Sequence, residues 1–295
     1  MKRRTFLKHT ALSAIAVSAT GFIRFDGNQY VGDCETTSDI LGPFYRPESP
    51  VRSSLVIKGE KGESVELMGK IKHQDCTTPY KNAKIELWHC DGNGVYDNAT
   101  SEFKYRGTTY SDDNGNYSFR TILPVAYDAG GGEIRPAHFH LMITAEGYQP
   151  LVTQLYFNGD KHIEKDIYAN ADAAQRRRLD VKESGTGKKV IYDVSMAKVM
   201  LAEPASLDKL LGVYCDEKDK TKTVEFFKHK NSLWKKNEVF GTDYQYIGNN
   251  TFDYPGMTKG NSRTYTFDIL GSGAIKCTMN YVFDGKKGSK VYMKV

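Results

Sequence analysis

Two histidines one residue apart, in Arg135-Pro-Ala-His-Phe-His140, are the sharpest chemical feature of this 295-residue sequence. The proline opens the stretch and Leu141-Met-Ile143 extend it, so it reads as a β-strand. Successive side chains of a strand point to opposite faces, which puts His138 and His140 on one face, about 7 Å apart along the backbone. Two imidazoles on one rigid element make half of a metal site. The same pattern also fits a polar, half-exposed strand face.

Four further residues sit where chemistry is commonly placed. Tyr96 follows the turn Asp91-Gly-Asn-Gly94, and Tyr127 lies between Leu123-Pro124 and Asp128-Ala-Gly-Gly-Gly132. Arg135 heads the two-histidine strand, and Gln154 lies in the middle of the next one. Junctions of strand and loop are where functional side chains concentrate. Each has a plainer reading too. The tyrosines are two of nineteen, Arg135 has Glu133 to pair with, and Gln154 has backbone groups to satisfy. His89, between Trp88 and Cys90, reads as a packing residue. Tyr45 and Arg46 are candidates for a pocket mouth.

The elements that must position these residues are short strands. Ser64–Ile71, Ala83–His89, Asn116–Ile122, Pro150–Phe157 and Lys188–Val194 alternate or run apolar, and turn residues separate them. Ala171–Leu179 reads as a short helix. Strands at this density predict a β-sandwich over residues 30–203. Glu203-Pro-Ala-Ser206 reads as a linker. From 204 to 295 another set of short strands, from Leu210–Tyr214 to Lys290–Lys294, predicts a small antiparallel barrel or sandwich. The Leu-x-Gly-x-Tyr opening of that segment resembles accessory β-domains of secreted bacterial enzymes. It reads as a stabilising or dimerising addition, or as a binding module for a polymer, the envelope or the partner domain.

Leu41-Gly-Pro-Phe-Tyr45, Leu87-Trp-His-Cys-Asp-Gly-Asn-Gly-Val-Tyr-Asp97, Tyr105-Arg-Gly107, the Asp112–Phe119 turn and strand, Leu123-Pro-Val-Ala-Tyr127, Arg135-Pro-Ala-His-Phe-His140 and Thr153-Gln-Leu-Tyr-Phe157 occur in this order. Together, over about residues 38–200, they resemble the intradiol ring-cleavage dioxygenases, the family of catechol and protocatechuate dioxygenases. The resemblance implies an all-β protein whose mostly antiparallel sandwich holds one non-haem Fe(III). Tyr96, Tyr127, His138 and His140 then fall on the metal ligands, and Arg135, Tyr127 and Gln154 on the catalytic positions. It implies that a small aromatic diol binds as a dianion in place of Tyr127, which takes up a proton. Arg135 stabilises negative charge as O2 attacks the ring, Gln154 orients the reacting groups, and a cis,cis-muconate-type diacid results. The ligand types suit the metal. A tyrosine ionises near pH 10 unaided, but a bound cation deprotonates its ligands, and phenolate oxygen suits a hard ferric ion. No carboxylate sits beside the histidine pair, unlike the two-His-one-carboxylate sites of Fe(II) oxygenases.

The sequence departs from the family in places. The helical dimerisation region of catechol and hydroxyquinol dioxygenases is not expected in the few residues ahead of Leu41. The short gap between Tyr127 and His138 looks more like the protocatechuate branch, whose enzymes pair two kinds of subunit, whereas one copy of the fold is present here. The substrate therefore stays open, and a homo-oligomer is one assembly left open with it. Two other readings compete. One is a related iron enzyme acting on another polyphenol or enediol. The other is a non-catalytic binding module resembling transthyretin-like domains.

Composition bounds the rest. The chain is 39% hydrophobic and 12% aromatic. Its net charge of +5 resolves into +4 over residues 1–26, −4 over 27–204 and +5 over 205–295. The acidic middle has no basic stripe interleaved with aromatics, which argues against nucleic-acid binding. Residues 1–29 read as an export signal. Arg3-Arg4 with Phe6-Leu-Lys8 resembles a twin-arginine signal, and the apolar run from Ala11 to Ile23 is too short to span a membrane. The expected location is periplasmic or extracellular. In that oxidising setting Cys215 and Cys277 form the natural disulfide, closing a roughly 60-residue loop worth about 4 kcal/mol. Cys34, Cys76 and Cys90 are left as an odd set.

Overall fold

The computed structural model describes residues 17–18, 21–25, 30–33, 36–148, 150–185, 187–197, 202 and 204–295. The expected export signal therefore lies outside the described residues, except for the backbone of two short strands. Cys34 lies outside them as well. The strands are β1 (Val17–Ser18), β2 (Gly21–Phe25), β3 (Tyr30–Asp33), β4 (Ser64–Lys72), β5 (Lys84–Trp88), β6 (Arg106–Tyr110), β7 (Asn116–Ile122), β8 (Tyr127–Asp128), β9 (Ile134–Arg135), β10 (His138–Thr144), β11 (Leu151–Phe157), β12 (Arg178–Leu179), β13 (Lys182–Ser184), β14 (Gly187–Ile191) and β15 (Val194–Ser195). After the helix α1 (Pro204–Leu210) come β16 (Gly212–Asp216), β17 (Thr223–His229), β18 (Ser232–Lys236), β19 (Gly241–Gly248), β20 (Thr251–Asp253), β21 (Ser262–Ile269), β22 (Ile275–Phe283) and β23 (Lys286–Lys294).

The sandwich has two sheets. One runs β12-β11-β10-β5-β6, and the other runs β13-β14-β4-β15 with β7 also on β4. Most pairings are antiparallel, as expected, but β12 joins β11, and β14 and β15 join β4, in parallel. Period-2 alternation decides what lies between the sheets. Leu67, Ile71, Phe119 and Val190 from one sheet meet Ile85, Leu87, Phe139, Leu141 and Leu155 from the other. His89, just past β5, is buried there too. Its Nδ1–H donates to the Cys90 carbonyl at 2.7 Å, and its Nε2 accepts from Thr121 Oγ1 at 2.7 Å. Both nitrogens are used, so His89 packs, as the sequence suggested.

The opposite face of the β10 sheet is buried as well. Trp88, Met142 and Val152 pack against Leu41, Tyr45 and Trp234. Trp234 belongs to the second unit, in which β16 to β23 close an eight-stranded barrel. The expected small β-domain is thus a barrel. One end is filled by Tyr214, Phe226 and Phe267, and by Leu207 and Leu210 of α1, where a linker was expected. Ile40, from the segment leading into the sandwich, joins the same cluster. Gly256, at φ +82°, lets the β20–β21 loop press on that segment: a Cβ there would fall 2.2 Å from the Asp39 carbonyl carbon. Tyr45 stands between the two units, with ring centroids 5.1 Å from Trp88 and 5.5 Å from Trp234. It is buried at this seam and does not line a pocket mouth. Lys230 reaches across to Glu86, which also accepts from Tyr45 Oη at 3.2 Å and pairs with Lys84 at 3.2 Å. Burial alone would raise the Glu86 carboxyl, but the Lys230 ammonium beside it holds it below the usual range.

Three expectations need correction. The helix over Ala171–Leu179 is a 3-10 helix, Asp172–Arg177, and Arg178–Leu179 instead extend the sheet edge beside Tyr156–Phe157. The histidine strand begins at His138, not Arg135. Pro136 has no N–H for the ladder, and Arg135 pairs with Tyr127 in a separate two-stranded sheet. Cys215 and Cys277 are both free, whereas Cys76 is disulfide-bonded. The reason is geometric. Both cysteines flank the same strand: Cys215 is opposite Met293 and Cys277 opposite Tyr292 on β23. Neighbouring strands lie about 4.8 Å apart, so a strand between them puts their backbones beyond disulfide reach. Cys277 also points into the barrel and is fully buried, while Cys215 is only half-buried.

Two consequences are measurable. Lys230→Met leaves Glu86 buried without its main partner and should destabilise the protein by about 3 kcal/mol in denaturant titration. The double variant with Glu86→Gln should recover most of that loss. Burial pushes the His89 imidazole down from 6.5 to about 4. As pH falls through that window the unfolded chain takes up a proton that the folded one does not. His89 then costs about 3 kcal/mol of stability by pH 4, a fall that His89→Gln should flatten.

Candidate metal centre

The face of the β10 sheet turned away from the sandwich core carries a row of polar and aromatic groups, fixed by strand register. His140 lies opposite Trp88 on β5 and Gln154 on β11, and His138 lies opposite Tyr156. The two histidines share this face, as alternation required, and both are buried. His138 Nδ1–H donates to the Pro136 carbonyl at 2.7 Å, which leaves its Nε2 as a lone-pair donor. That Nε2 lies 3.1 Å from Nε2 of His140. Two nitrogens each about 2.1 Å from one ion, at right angles, stand about this far apart. Trp88 stacks on the His140 ring at 4.9 Å and 7°. Gly42, at φ +72°, allows close approach on His140: a Cβ there would lie 3.3 Å from His140 Cε1.

Both tyrosines arrive from loops. Asp91 Oδ1 accepts from the amides of Asn93 and Val95 at 2.8 and 2.9 Å, closing the turn that delivers Tyr96. Phe44 stacks on Tyr96 at 4.5 Å. Tyr96 Oη comes within 3.4 Å of His138 Nε2. Tyr127 is set by its pairing with Arg135, and its ring lies 5.3 Å from that of Tyr96 and 5.6 Å from that of His138. All four expected ligands are therefore gathered in one place.

The donor set fits a metal ion. Burial, and after it the Arg135 charge, pushes the His138 imidazole down to about 3. Burial and the neighbouring His138 push His140 well below its ordinary value. Neutral imidazoles are the ligating form. His140 Nδ1 is buried with no hydrogen-bond partner. Burial raises both phenols, so they stay protonated unless a cation ionises them. Among the described residues no three His, Cys, Asp or Glu side chains gather to hold a metal. A two-histidine site here must therefore draw on other donors, and phenol oxygens are what the fold supplies.

Arg135 is held from several sides. Its Nε pairs with Asp166 at 2.5 Å, and one terminal nitrogen donates to Gln154 Oε1 at 2.9 Å and Tyr156 Oη at 3.2 Å. Its guanidinium lies over the Tyr168 ring at 5.1 Å. The partner is Asp166, not Glu133. Gln154 Nε2 donates to the Ile40 carbonyl at 2.6 Å, so both ends of this amide are engaged. Tyr156 Oη donates to Asp39 at 3.0 Å, and Asp39 pairs with Arg177. Sequence reading missed Asp166, Tyr156, Asp39, Arg177 and Phe44 as parts of the site. Arg46 pairs with Asp97 at 3.4 Å and covers the Phe103 ring.

Known proteins share this arrangement of chain. A family model described as Dioxygenase matches residues 40–198. Catechol 1,2-dioxygenase from Candida albicans is 33% identical over 55% of this chain and 62% of its own. Chlorocatechol 1,2-dioxygenase from Rhodococcus opacus is 31% identical over 44% of this chain and 60% of its own. The chain thus spans about three fifths of the length of these relatives. The solved structure of catechol 1,2-dioxygenase from Acinetobacter sp. ADP1, inhibited by bound mercury, superposes with a TM-score of 0.50 at 27% identity, over 56% of this chain and 63% of that one. With more than half of the chain matched, including the two tyrosines and two histidines, the chain belongs to the intradiol ring-cleavage dioxygenase family.

Proposed function

We propose that this protein is an Fe(III) intradiol dioxygenase that opens a catechol-type ring between its two hydroxylated carbons, giving a cis,cis-muconate-type diacid. The observation that carries the reading is the meeting of His138 Nε2 and His140 Nε2, 3.1 Å apart, beside the phenols of Tyr96 and Tyr127. When bound, ferric iron would supply a hard Lewis acid that ionises phenols and draws a catecholate toward reaction with O2.

The chain's own residues divide the remaining work. His138, His140, Tyr96 and Tyr127 would hold the ion, with the His138 tautomer fixed by Pro136. Tyr127 is only half-buried, whereas Tyr96, His138 and His140 are buried, so it is the ligand with most room to yield. When not engaged with the ion, its Oη would be placed to take up a substrate proton. Arg135, fixed by Asp166 and Gln154, offers a preorganised positive charge where negative charge builds on the ring. Gln154 acts first on Arg135, and Trp88 and Phe44 keep water from the ligand rings. We further propose export by the twin-arginine route, supported by Arg3-Arg4 and the apolar run after it.

The reading is tested by optical titration with iron analysis. Purified protein should hold one iron per chain and show a tyrosinate-to-iron absorption band, shifted to longer wavelength by catechol under argon. Oxygen should bleach the shifted band. Protein that stays colourless after ferric loading would sink the proposal. Tyr127→Phe should weaken the band and slow turnover by about 10²-fold or more. Arg135→Gln should leave the band of the resting protein in place and slow turnover by about 10²–10³-fold.

A further inference from the structure

The barrel holds a cavity of about 610 Å³, lined by none of the residues proposed for the iron chemistry. That volume is within the roughly 300–1,000 Å³ of small-molecule sites, and barrel mouths are a common location for them. Register shows that its walls face the lumen. Arg263 is opposite Tyr281, Tyr265 is opposite Met279, and Met279 is opposite Lys290, all in line with the buried Cys277 and Tyr292. Lys235 lies opposite Phe226, which is buried in the barrel. The end beside α1 is filled by aromatics, so the cavity opens at the end made by the β20–β21 and β22–β23 turns.

The charge in this cavity has one sign. Lys235, Arg263 and Lys290 contribute to the wall, and among the described residues no Asp or Glu does. None of the three has an ion-pair partner among the described residues; every salt bridge there involves other cations. Arg263 instead lies over the Tyr254 ring at 5.5 Å. Lys235 and Arg263 are half-buried, with Lys290 exposed at the rim; like charges so placed repel one another, and a protein with no use for the inner two would place them in solvent. Burial pushes the Lys235 ammonium down, and Arg263 beside it pushes the same way. Tyr265, Met279 and Tyr281 offer flat apolar surface next to these cations.

We infer that the barrel cavity binds a small conjugated carboxylate, with the acid group on Lys235 and Arg263 and the planar body against Tyr265, Met279 and Tyr281. The inference does not rest on the iron reading. Two sources share this ligand chemistry: an intact aromatic acid and a ring-opened diacid.

Calorimetric titration of the full iron-loaded chain tests it, with benzoate and cis,cis-muconate as probes for the two sources and benzamide as a neutral isostere of benzoate. At least one carboxylate should bind, and if benzoate is the one, about tenfold or more tightly than benzamide. Lys235→Met should weaken that carboxylate about tenfold while catechol cleavage is unchanged. Lys290→Glu, an exposed change with no packing consequence, should also weaken it. The inference is overturned if neither carboxylate binds at concentrations on the order of 10 mM, if benzamide binds as well as benzoate, or if Lys235→Met leaves the affinity untouched. Heat lost in Tyr127→Phe but kept in Lys235→Met would place the binding at the catalytic site and likewise overturn it.

Discussion

Strand β10 is buried on both of its faces, and the rest of the molecule answers to that constraint. Phe139, Leu141 and Ile143 face the second sheet, while His138, His140 and Met142 face the other way. A strand with two buried faces needs two covers. The second sheet is one. The other is assembled from residues 39–45 and the aromatic wall of the barrel. The histidines are dry because that second cover exists. Their low proton affinity and the close meeting of their Nε2 atoms follow from it, since imidazoles in water would be free to turn apart and to protonate.

Arg135 illustrates how charge is managed in such a place. A lone guanidinium would be costly to bury, so a chain of partners carries its field outward: Asp166 on one side, then Gln154, Tyr156, Asp39 and Arg177 on the other. Positive and negative groups alternate along this chain, and hydrogen-bonded neutral groups link them. Such a network holds its members to one geometry. It ties β9, β11 and the Asp172–Arg177 helix to the segment that enters the sandwich, so the orientation of Arg135 depends on pieces of chain more than a hundred residues apart.

Parts of this were legible in the sequence. His138 and His140 needed only the period of a strand, and turn residues marked where Tyr96 and Tyr127 would emerge. That the four side chains meet was not readable from spacing; it came from the order of several motifs. Asp39, Asp166 and Arg177 were invisible because each is an ordinary surface type until a distant partner buries it. The pairing of Cys215 with Cys277 failed because closeness in sequence says nothing about which face of a barrel wall a side chain takes. The second cover had a signal that could have been read. Leu151–Phe157 is buried at all seven positions, and a run with so few breaks in polarity is the mark of a strand covered on both sides.

The seam formed by Tyr45, Trp88, Glu86, Lys230 and Trp234 bears on how such a chain arises and changes. Domains joined by a linker can be shuffled by recombination, because each keeps a complete core of its own. Here part of the sandwich's core is made of barrel residues, and Ile40 completes the barrel's. The two units have stopped being exchangeable modules. Any lineage that replaced the barrel would inherit, beside His138 and His140, a sheet with an uncovered tryptophan and a carboxylate that has lost its Lys230 partner. Substitutions at the seam are therefore expected to be accepted in matched sets across both units, and the unit of inheritance is the pair.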